Sequence, residues 1–438
     1  MPAVHPVLVR LPIPGFGPIA IYAYGVMLGL SLVVGWYLTL GLAARDGLPK
    51  EKMANNYVVT AVSAVVASRL LYVVTNLDEF SGNLAAIVSF RSGGLVAYGG
   101  FLGGLLGSYV YLKRHRLPLL PWADVAVPSL AAGLMITRIG CYLFGCDFGR
   151  PLAADAPPLL QKLGTFPHWA EGVIEGGSGS PAFVHHVKTR GLSPDAIASL
   201  PVHPTQLYES AVGLSLLVLL LWLRRRQTFR GQIFFVFAFA YGAARFALEL
   251  VRDDLERGAV PPALPQHLLI AGSLALFAAA YAFGIAPAIR SAPARLATQV
   301  ASLIPAVWAY VALAPEPFAG DHTMKLSTSQ AIGLASGVVA ALAYGVFHRA
   351  ALRHPQAAMA LDLPPDAAED GAAEDSAAED NAAEDNAADE PATDEPAVEE
   401  PAREEPVAAP PVGELKKKRK KKPVDDGEGG APDPQANG

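Results

Sequence analysis

The sequence predicts an all-α integral membrane protein with a seven-span helical body. Of its 438 residues, 52% are hydrophobic and only 17% are charged, and its mean hydropathy is +0.31. This composition is too apolar for a soluble globular domain. Apolar stretches of roughly 20 residues, the length that crosses a hydrocarbon core, recur along the chain. A soluble enzyme is therefore excluded.

Seven apolar stretches define the body, and two weaker ones follow it. The body stretches are 19–43, 56–77, 94–112, 122–144, 204–223, 231–251 and 266–287. The weaker stretches are 299–315, which is rich in Ala and Val, and 330–347, which is rich in Ala and Gly. We therefore assign the body to residues 1–290 and two additional candidate spans to 291–350, which would make nine spans.

Basic residues in the short loops predict the orientation. Lys and Arg concentrate in alternate loops, at 45–52, 113–116, 224–230 and 290–295, and such loops lie on the cytoplasmic side. The opposite loop, 78–93, contains two acidic residues and a single arginine, so it is predicted to be external. The connection 145–203 lies on that external side and is too long for a turn, so it should form a small external head.

The C-terminal tail differs from the body in charge and in composition. Residues 1–365 carry a net charge of +8, whereas residues 366–438 carry −14. The tail, taken as 351–438, repeats Ala-Ala-Glu-Asp and ends near a basic block at 416–422. It has too few large apolar side chains to fold, so we expect it to be disordered and cytoplasmic. The basic block is either a solvated segment or a site for anionic lipid, and no nucleic-acid partner is expected.

A few ionisable residues lie inside the predicted spans, where each costs at least about 2.5 to 3.5 kcal/mol at the bilayer centre. The predicted orientation places all of them in the outer half of the membrane, and it places three other polar residues near the same depth. The ionisable residues are Arg69, Arg138, Glu209, Arg245 and Glu249, and the other three are Tyr24, Tyr98 and His203. This convergence predicts one functional site at the outer leaflet.

Two interpretations of the arginines remain open. Arg245 and Glu249 are four residues apart on one helical face, and Arg252 extends that face. In the first, each arginine pairs with Glu209, Glu249 or backbone carbonyls and only holds helices together. For Arg69, this structural interpretation and ligand binding are equally well supported. For Arg138, Arg245 and Arg252 together, the two acids inside the spans cannot neutralise all three positive charges. An external anion is therefore expected at these arginines. Guanidinium groups bind phosphate oxygens in pairs, which favours a phospholipid headgroup.

Several motifs carry a resemblance to a known family. His203 to Glu209 reads His-Pro-Thr-Gln-Leu-Tyr-Glu, and Arg138 to Arg150 reads Arg-Ile-Gly-Cys-Tyr-Leu-Phe-Gly-Cys-Asp-Phe-Gly-Arg. Supporting pieces are Tyr24-Gly25, Arg69-Leu-Leu-Tyr72, Gly93 to Gly100 and Arg245-x-x-x-Glu249-x-x-Arg252. Their joint occurrence, in order over about residues 15–290, resembles the bacterial phosphatidylglycerol:prolipoprotein diacylglyceryl transferases.

The resemblance implies an enzyme of the bacterial cytoplasmic (inner) membrane that faces the outer leaflet. Such an enzyme transfers the diacylglyceryl group of phosphatidylglycerol to the lipobox cysteine thiol of an exported preprolipoprotein. The products are a thioether and glycerol 1-phosphate. Neither a metal nor an organic cofactor is expected, and the cysteines and histidines do not have the spacing of a structural zinc site.

The resemblance also assigns roles to individual residues. Arg138 and Arg245 match the headgroup-binding arginines and would stabilise charge on the departing phosphate. Glu209, Glu249 and Arg252 would position them. The remaining matches to family motif positions are Tyr24, His203, Gly140, Gly149 and Arg69.

The departures from the family pattern concern proton transfer. Tyr98 stands where the family usually has a histidine, and a phenol with a reference pKa near 10 is a poor base. Cys141, Phe144 and Cys146 replace an Asn, a second Asn and a Glu of the signature. The two cysteines could be small buried thiols, a disulfide or a catalytic thiol. These changes leave two alternatives open: a divergent lipid or thiol transferase with another acceptor, and a non-catalytic protein that binds anionic lipid.

Overall fold

The computed structural model describes residues 6–13, 17–80, 87, 94–169, 173–174, 177–253, 258–315 and 322–365, which are mostly helical. The helices are α1 (Ala23–Arg45), α2 (Lys50–Thr75), α3 (Leu77–Phe80), α4 (Ala97–Arg114), α5 (Leu119–Phe144), α6 (Pro158–Leu163), α7 (Pro181–Arg190), α8 (Thr205–Arg224), α9 (Gln232–Glu249), α10 (Gln266–Ala280), α11 (Ala292–Ala312), α12 (Thr328–Arg353) and α13 (Pro355–Ala358). A π-helical turn at Tyr281–Ile285 and a 3₁₀ turn at Ala286–Ala288 extend α10. The fold is that of a helical membrane protein, as predicted.

Short antiparallel strand pairs connect the helices within the described residues. The pairs are β1 (Val7–Ile13) with β2 (Gly17–Tyr22), β3 (Val173–Ile174) with β4 (Gly177–Ser178), and β5 (Ala259–Pro265) with β6 (Thr323–Ser327). The third pair has a structural consequence, because β5 leads directly into α10 and β6 leads directly into α12. It therefore ties the N-terminal ends of these two helices together.

Seven of the described helices are long and apolar enough to cross a membrane, but they are not the seven assigned to the body. They are α1, α2, α5, α8, α9, α10 with its extension to Ala288, and α12. The predicted third span forms α4, whose hydropathy is lowered by three tyrosines and by Lys113 and Arg114 at its end. The last of the weaker stretches qualifies as α12, whereas the other forms α11, which contains Thr298, Gln299 and Ser302.

Large apolar side chains are exposed along the outside of these helices. Examples are Val33 on α1, Val62 on α2, Val218 on α8 and Val339 on α12, each with more than half of its surface exposed. In a soluble protein such surfaces would be a liability, whereas lipid chains cover them in a bilayer. The exposed surfaces agree with a protein that spans the membrane several times.

Glycines allow the closest helix contacts. A Cβ atom on Gly99 of α4 would lie 2.6 Å from the carbonyl oxygen of Ala67 on α2. A Cβ atom on Gly213 of α8 would lie 2.6 Å from the backbone nitrogen of Met135 on α5. Small residues let membrane helices approach in this way, so that packing and dispersion forces hold them together. The Gly99 contact fixes the start of α4, where Tyr98 lies.

The long connection 145–203 and the beginning of the C-terminal tail both contain packed apolar residues. The connection 145–203 contains an apolar cluster of Phe148, Phe166, Trp169, Ala182 and Val202, which packs against Tyr142 near the end of α5. At the other end, α12 continues to Arg353, past the residue at which the tail was predicted to begin. Leu361 and Leu363 then pack against an apolar cluster that includes Leu48, Met53 and Trp122. These contacts explain why the chain follows a fixed path after α12. The predicted disorder of 366–438 concerns residues outside those described, and the domain boundaries stay predictions.

Candidate active site

Three segments of backbone meet where α5, α8 and α9 come together at one end of the bundle. Gly149 forms a bridge with Arg252, and its N–H donates to the carbonyl of His203 at 3.0 Å. The N–H of Arg150 donates to the carbonyl of Val251 at 2.8 Å. Gly149 has no room for a side chain, since a Cβ atom would lie 2.7 Å from both the Cβ of His203 and the carbonyl oxygen of Val251. These backbone bonds align the segments that carry the polar residues.

Glu209, near the start of α8, binds three arginines. Arg245 Nη1 is 2.7 Å from Glu209 Oε1, and Arg252 Nη1 is 3.2 Å from the same oxygen. Arg138 Nε forms an ion pair with the other oxygen, Oε2. The Glu209 side chain is only 3% exposed, so its charge depends on these partners.

Asp147 links two of the same arginines from the other side. Its Oδ2 is 2.5 Å from Arg138 Nη1, and its Oδ1 is 2.6 Å from Arg252 Nη2. The residue has φ of 55°, a left-handed conformation that Asp tolerates better than most residues. Burial raises the pKa of the Asp147 carboxyl, but Arg138 and Arg252 outweigh it and hold the pKa below its usual value. Asp147 is therefore ionised at neutral pH.

The start of α8 holds the Asp147 turn in place. The Thr205 hydroxyl donates to the carbonyl of Asp147 at 2.5 Å, and the Gln206 amide donates to the carbonyl of Cys146. Both Thr205 and Gln206 are fully buried. The motif from His203 to Glu209 thus supplies both a central carboxylate and the anchors of the turn opposite.

Asp147 corrects the charge balance expected from the sequence. Two acids were expected to leave the arginines in excess, but the cluster contains a third carboxylate, so Glu209, Glu249 and Asp147 match the three arginines in number. Cys146 stands where the family signature has a glutamate, and Asp147, one residue later, supplies a carboxylate. An excess of charge is therefore no longer the argument for an anion, and the argument moves to the geometry of the guanidinium groups.

One guanidinium edge remains available within the cluster. Arg138 uses Nη1 and Nε for its two carboxylates, and no described residue bonds to its Nη2. Its side chain is 19% exposed, whereas that of Arg252 is 5% exposed. Arg138 can therefore bind an oxygen of an incoming anion without losing its carboxylate partners.

Arg245 connects the cluster to Tyr98 through a residue that the sequence analysis did not select. Arg245 Nη2 is 2.9 Å from Glu249 Oε2, and it donates to the hydroxyl of Ser329 at 3.3 Å. The Ser329 hydroxyl is 2.8 Å from the Tyr98 hydroxyl. The structure therefore brings together Tyr98, Arg138, Glu209, Arg245, Glu249 and Arg252 as one connected group.

Three other predicted residues lie around this group. Helix α1 packs closely against Gly140 of α5, since a Cβ atom there would lie 3.2 Å from the Cα of Tyr24. His203 Nδ1 is 3.3 Å from the Tyr208 hydroxyl. Burial lowers the pKa of His203, so its imidazole is neutral at neutral pH and able to accept a proton.

Arg69 has different partners. It donates from Nε to the carbonyl of Ile87 at 2.9 Å and from Nη1 to the carbonyl of Gly94 at 2.9 Å. Its guanidinium also lies 5.4 Å from the ring centres of Tyr72 and Phe80. These contacts hold the segment that leads into α4, in agreement with the structural interpretation of Arg69.

The two cysteines are free thiols in this structure. A hydrogen bond with Cys141, together with burial, raises the pKa of the Cys146 thiol well above its usual value. Reactive cysteines have lowered pKa values, so the contacts favour small buried thiols over a catalytic one. Cys141, Cys146 and Asp147 have ligand atoms within 4.8 Å of one another, but both Asp147 oxygens already bind arginines. This group therefore belongs to the arginine cluster.

Fold and site together define a multi-pass membrane protein with arginines and carboxylates buried at one end of its bundle. The family model for prolipoprotein diacylglyceryl transferase matches residues 13–286. The chain belongs to the prolipoprotein diacylglyceryl transferase family, which confirms the resemblance seen in the motifs.

Individual relatives agree with this membership. The phosphatidylglycerol–prolipoprotein diacylglyceryl transferase of Geobacillus kaustophilus is 31% identical over 258 residues, which are 59% of this chain and 82% of the relative. That of Clostridium tetani is 27% identical over 249 residues, or 57% and 86% of the two chains. That of Halalkalibacterium halodurans is 29% identical over 238 residues, or 54% and 74%.

Proposed function

We propose that this protein transfers the diacylglyceryl group of phosphatidylglycerol to the lipobox cysteine of exported preprolipoproteins. The membership of the family and the names of its relatives support the reaction. The observation that carries it is the available Nη2 edge of Arg138, held beside two other arginines by buried carboxylates. Nothing in the described residues favours another acceptor or a role in lipid binding alone.

Bond changes in the reaction define what the site must stabilise. The thiol sulfur attacks the carbon of the diacylglyceryl group that bears the phosphate, a C–S bond forms, and the bond between that carbon and the phosphate oxygen breaks. The bonding electrons leave on glycerol 1-phosphate, and the thiol proton can pass to the released phosphate or to the neutral imidazole of His203. Negative charge therefore grows on a phosphate oxygen, where preorganised guanidinium donors are most effective.

We assign the residues as follows. Arg138 and Arg245 bind the phosphate; Glu209, Glu249, Arg252 and Asp147 fix their orientation. Tyr98, Tyr24 and His203 contact the reacting groups, while Gly140 and Gly149 permit the close backbone approach. Arg69 acts indirectly, by holding the segment before Tyr98.

The proposed location follows from the charge of the loops. The protein spans the bacterial inner membrane, the site faces the outer leaflet, and residues 145–203 form an external head. The tail is then cytoplasmic, where its basic block 416–422 can meet anionic lipid. Phosphatidylglycerol reaches the site from the lipid, and the acceptor reaches it after export.

The test is transfer of a labelled diacylglyceryl group from phosphatidylglycerol to a lipobox peptide by the purified full chain. We expect transfer by the wild type and a loss of two to three orders of magnitude in Arg138→Ala. Arg138→Lys should recover little, because an ammonium cannot keep two carboxylates and a phosphate in one plane. Transfer that is equal in all three proteins, or a folded wild type without transfer, would refute the proposal.

A further inference from the structure

A residue beyond the family-matched part of the chain reaches the site. The match ends at residue 286, whereas Ser329 lies in the first turn of α12. We infer that Ser329 is a positioning residue for diacylglyceryl transfer, one that connects Arg245 to Tyr98. This inference rests on the proposed function and extends the site to a helix outside the matched region.

The contacts define the direction of the hydrogen bonds. A guanidinium can only donate, so Ser329 Oγ accepts from Arg245 Nη2 at 3.3 Å. In the 2.8 Å contact between the Ser329 and Tyr98 hydroxyls, either atom can donate. The positive charge of Arg245 polarises the Ser329 hydroxyl and favours donation from Ser329 to Tyr98.

This direction determines what Tyr98 can do. When Ser329 donates to its oxygen, the phenol keeps its own hydrogen for a substrate oxygen. Tyr98 then serves as a hydrogen-bond donor to the phosphate, a role that suits a phenol better than that of a base. The replacement of the usual histidine by Tyr98 thus coincides with a serine that orients the phenol from a separate helix.

Local structure fixes the position of Ser329. Ser327 caps α12: its hydroxyl accepts from the N–H of Gln330 at 3.1 Å, and the Gln330 side chain accepts from the N–H of Ser327 at 3.0 Å. Such a capping box holds the first turn of a helix, the turn that contains Ser329. Pairing of β6 with β5 fixes the chain immediately before it.

Close packing fixes α12 as a whole against the matched part of the chain. A Cβ atom on Gly242 of α9 would lie 2.4 Å from the carbonyl oxygen of Gly333. One turn later, a Cβ atom on Gly337 would lie 2.7 Å from the ring of Phe277 on α10. Gly242 and Arg245 are on the same helix, so this contact fixes the distance between Ser329 and Arg245.

The decisive variants differ only in the hydroxyl. Threonine and valine have the same shape, so Ser329→Thr keeps the hydroxyl and Ser329→Val removes it. We expect Ser329→Val to lower kcat about tenfold with KM for phosphatidylglycerol changed less than about twofold, and Ser329→Thr to retain most of the activity. Ser336→Ala is the matched control, because the Ser336 hydroxyl bonds only to its own helix, at the carbonyl of Gly333.

Coupling to Tyr98 separates positioning from a general effect on folding. In full-length protein that already carries Tyr98→Phe, Ser329→Val should have almost no additional effect on kcat, because the phenol on which it acts is gone. A similar tenfold loss in both backgrounds would overturn the inference, as would full activity of Ser329→Val. A wild type without transfer would instead refute the proposed function, and this inference with it.

Discussion

Two clusters of arginines and carboxylates lie at opposite ends of the same helices, and they differ in what the charges bind. The site cluster joins Arg138, Arg245 and Arg252 to three carboxylates. The inner cluster joins Arg224 and Arg230 to Asp46, at 2.6 and 2.8 Å. On α5, Arg138 and the inner Asp124 are 14 residues apart, about 20 Å along a helix.

Burial alone does not distinguish the two clusters. The side chains of Arg224 and Arg230 are 9% and 13% exposed, and those of Arg245 and Arg138 are 16% and 19% exposed. The difference lies in the partners. Arg224 also donates to the carbonyl of Asp124 at 3.0 Å, and Arg230 donates to that of Met359 at 3.3 Å.

The inner carboxylate Asp124 shows the same preference for the backbone. It accepts from the N–H groups of Gly231 at 2.5 Å and Phe234 at 2.9 Å, and from the Gln227 amide at 2.6 Å. It therefore caps the start of α9. The inner charges thus hold backbone segments in place, whereas the charges of the site cluster bind one another and leave a guanidinium edge of Arg138 for a substrate.

The largest difference should appear between one arginine from each cluster. Arg245→Ala removes a donor to the phosphate and should lower kcat/KM about a thousandfold. Arg230→Ala should leave activity per folded molecule nearly unchanged and lower Tm, because its partners are Asp46 and the backbone. Steady-state transfer and thermal unfolding in detergent measure both. Equal losses of activity in the two variants would show that the comparison is wrong.

Asp124 gives the next largest effect, on stability. In Asp124→Ala, three donors lose their acceptor in a fully buried position, and we expect a loss of about 3 kcal/mol in the free energy of unfolding. Activity per folded molecule should be retained. Asp195→Ala, at an exposed position in the head, is the control and should be neutral. A stable but inactive Asp124→Ala would assign the inner cluster a role in catalysis.

Most of the fold could be predicted from the sequence, because the length and the hydropathy of each apolar stretch follow directly from its residues. All nine apolar stretches form helices, although α4 and α11 are not apolar enough to count as membrane spans. In the site, the sequence identified the charged residues that lie inside spans, because such residues are rare and easy to recognise. Asp147 and Ser329 could not be found this way, since one lies just beyond a helix end and the other is an ordinary residue in the first turn of a separate helix.

Asp147 should produce a smaller effect than the arginines. Asp147→Asn keeps the shape and the turn but removes the charge that pairs with Arg138 and Arg252, and we expect a loss of about tenfold in kcat. Adding Cys146→Glu to this variant should recover part of the activity, because it returns a carboxylate to the position where the family signature has it. No recovery, with the protein folded, would mean that a carboxylate at residue 146 cannot replace one at residue 147, so that the position of the charge matters and not its presence alone.

Acid should lower the stability of the protein through His186 in the head. In the head, burial lowers the pKa of His186 to about 4 from 6.5, and His185 and Arg190 add to this effect while Asp253 opposes it. His186 Nδ1 accepts from the N–H of Leu200 at 3.2 Å, which requires the neutral ring.

The direction of the pH effect follows from these values. An unfolded chain protonates His186 below pH 6.5, whereas the folded chain resists protonation until about pH 4, so stability falls as pH decreases through this range. At pH 5.5 we expect His186 to have cost about 1 kcal/mol. Asp147 stays ionised there, because Arg138 and Arg252 hold its pKa below the usual value of an aspartate.

Thermal unfolding at pH 7.5 and 5.5 measures this effect in the wild type and in His186→Gln, whose side-chain oxygen can still accept from Leu200. The drop in Tm on acidification should be smaller in His186→Gln, by a few degrees. An identical drop in the two proteins would mean that His186 is not the source of the acid sensitivity, and His203 would be the next residue to test, since burial lowers its pKa too.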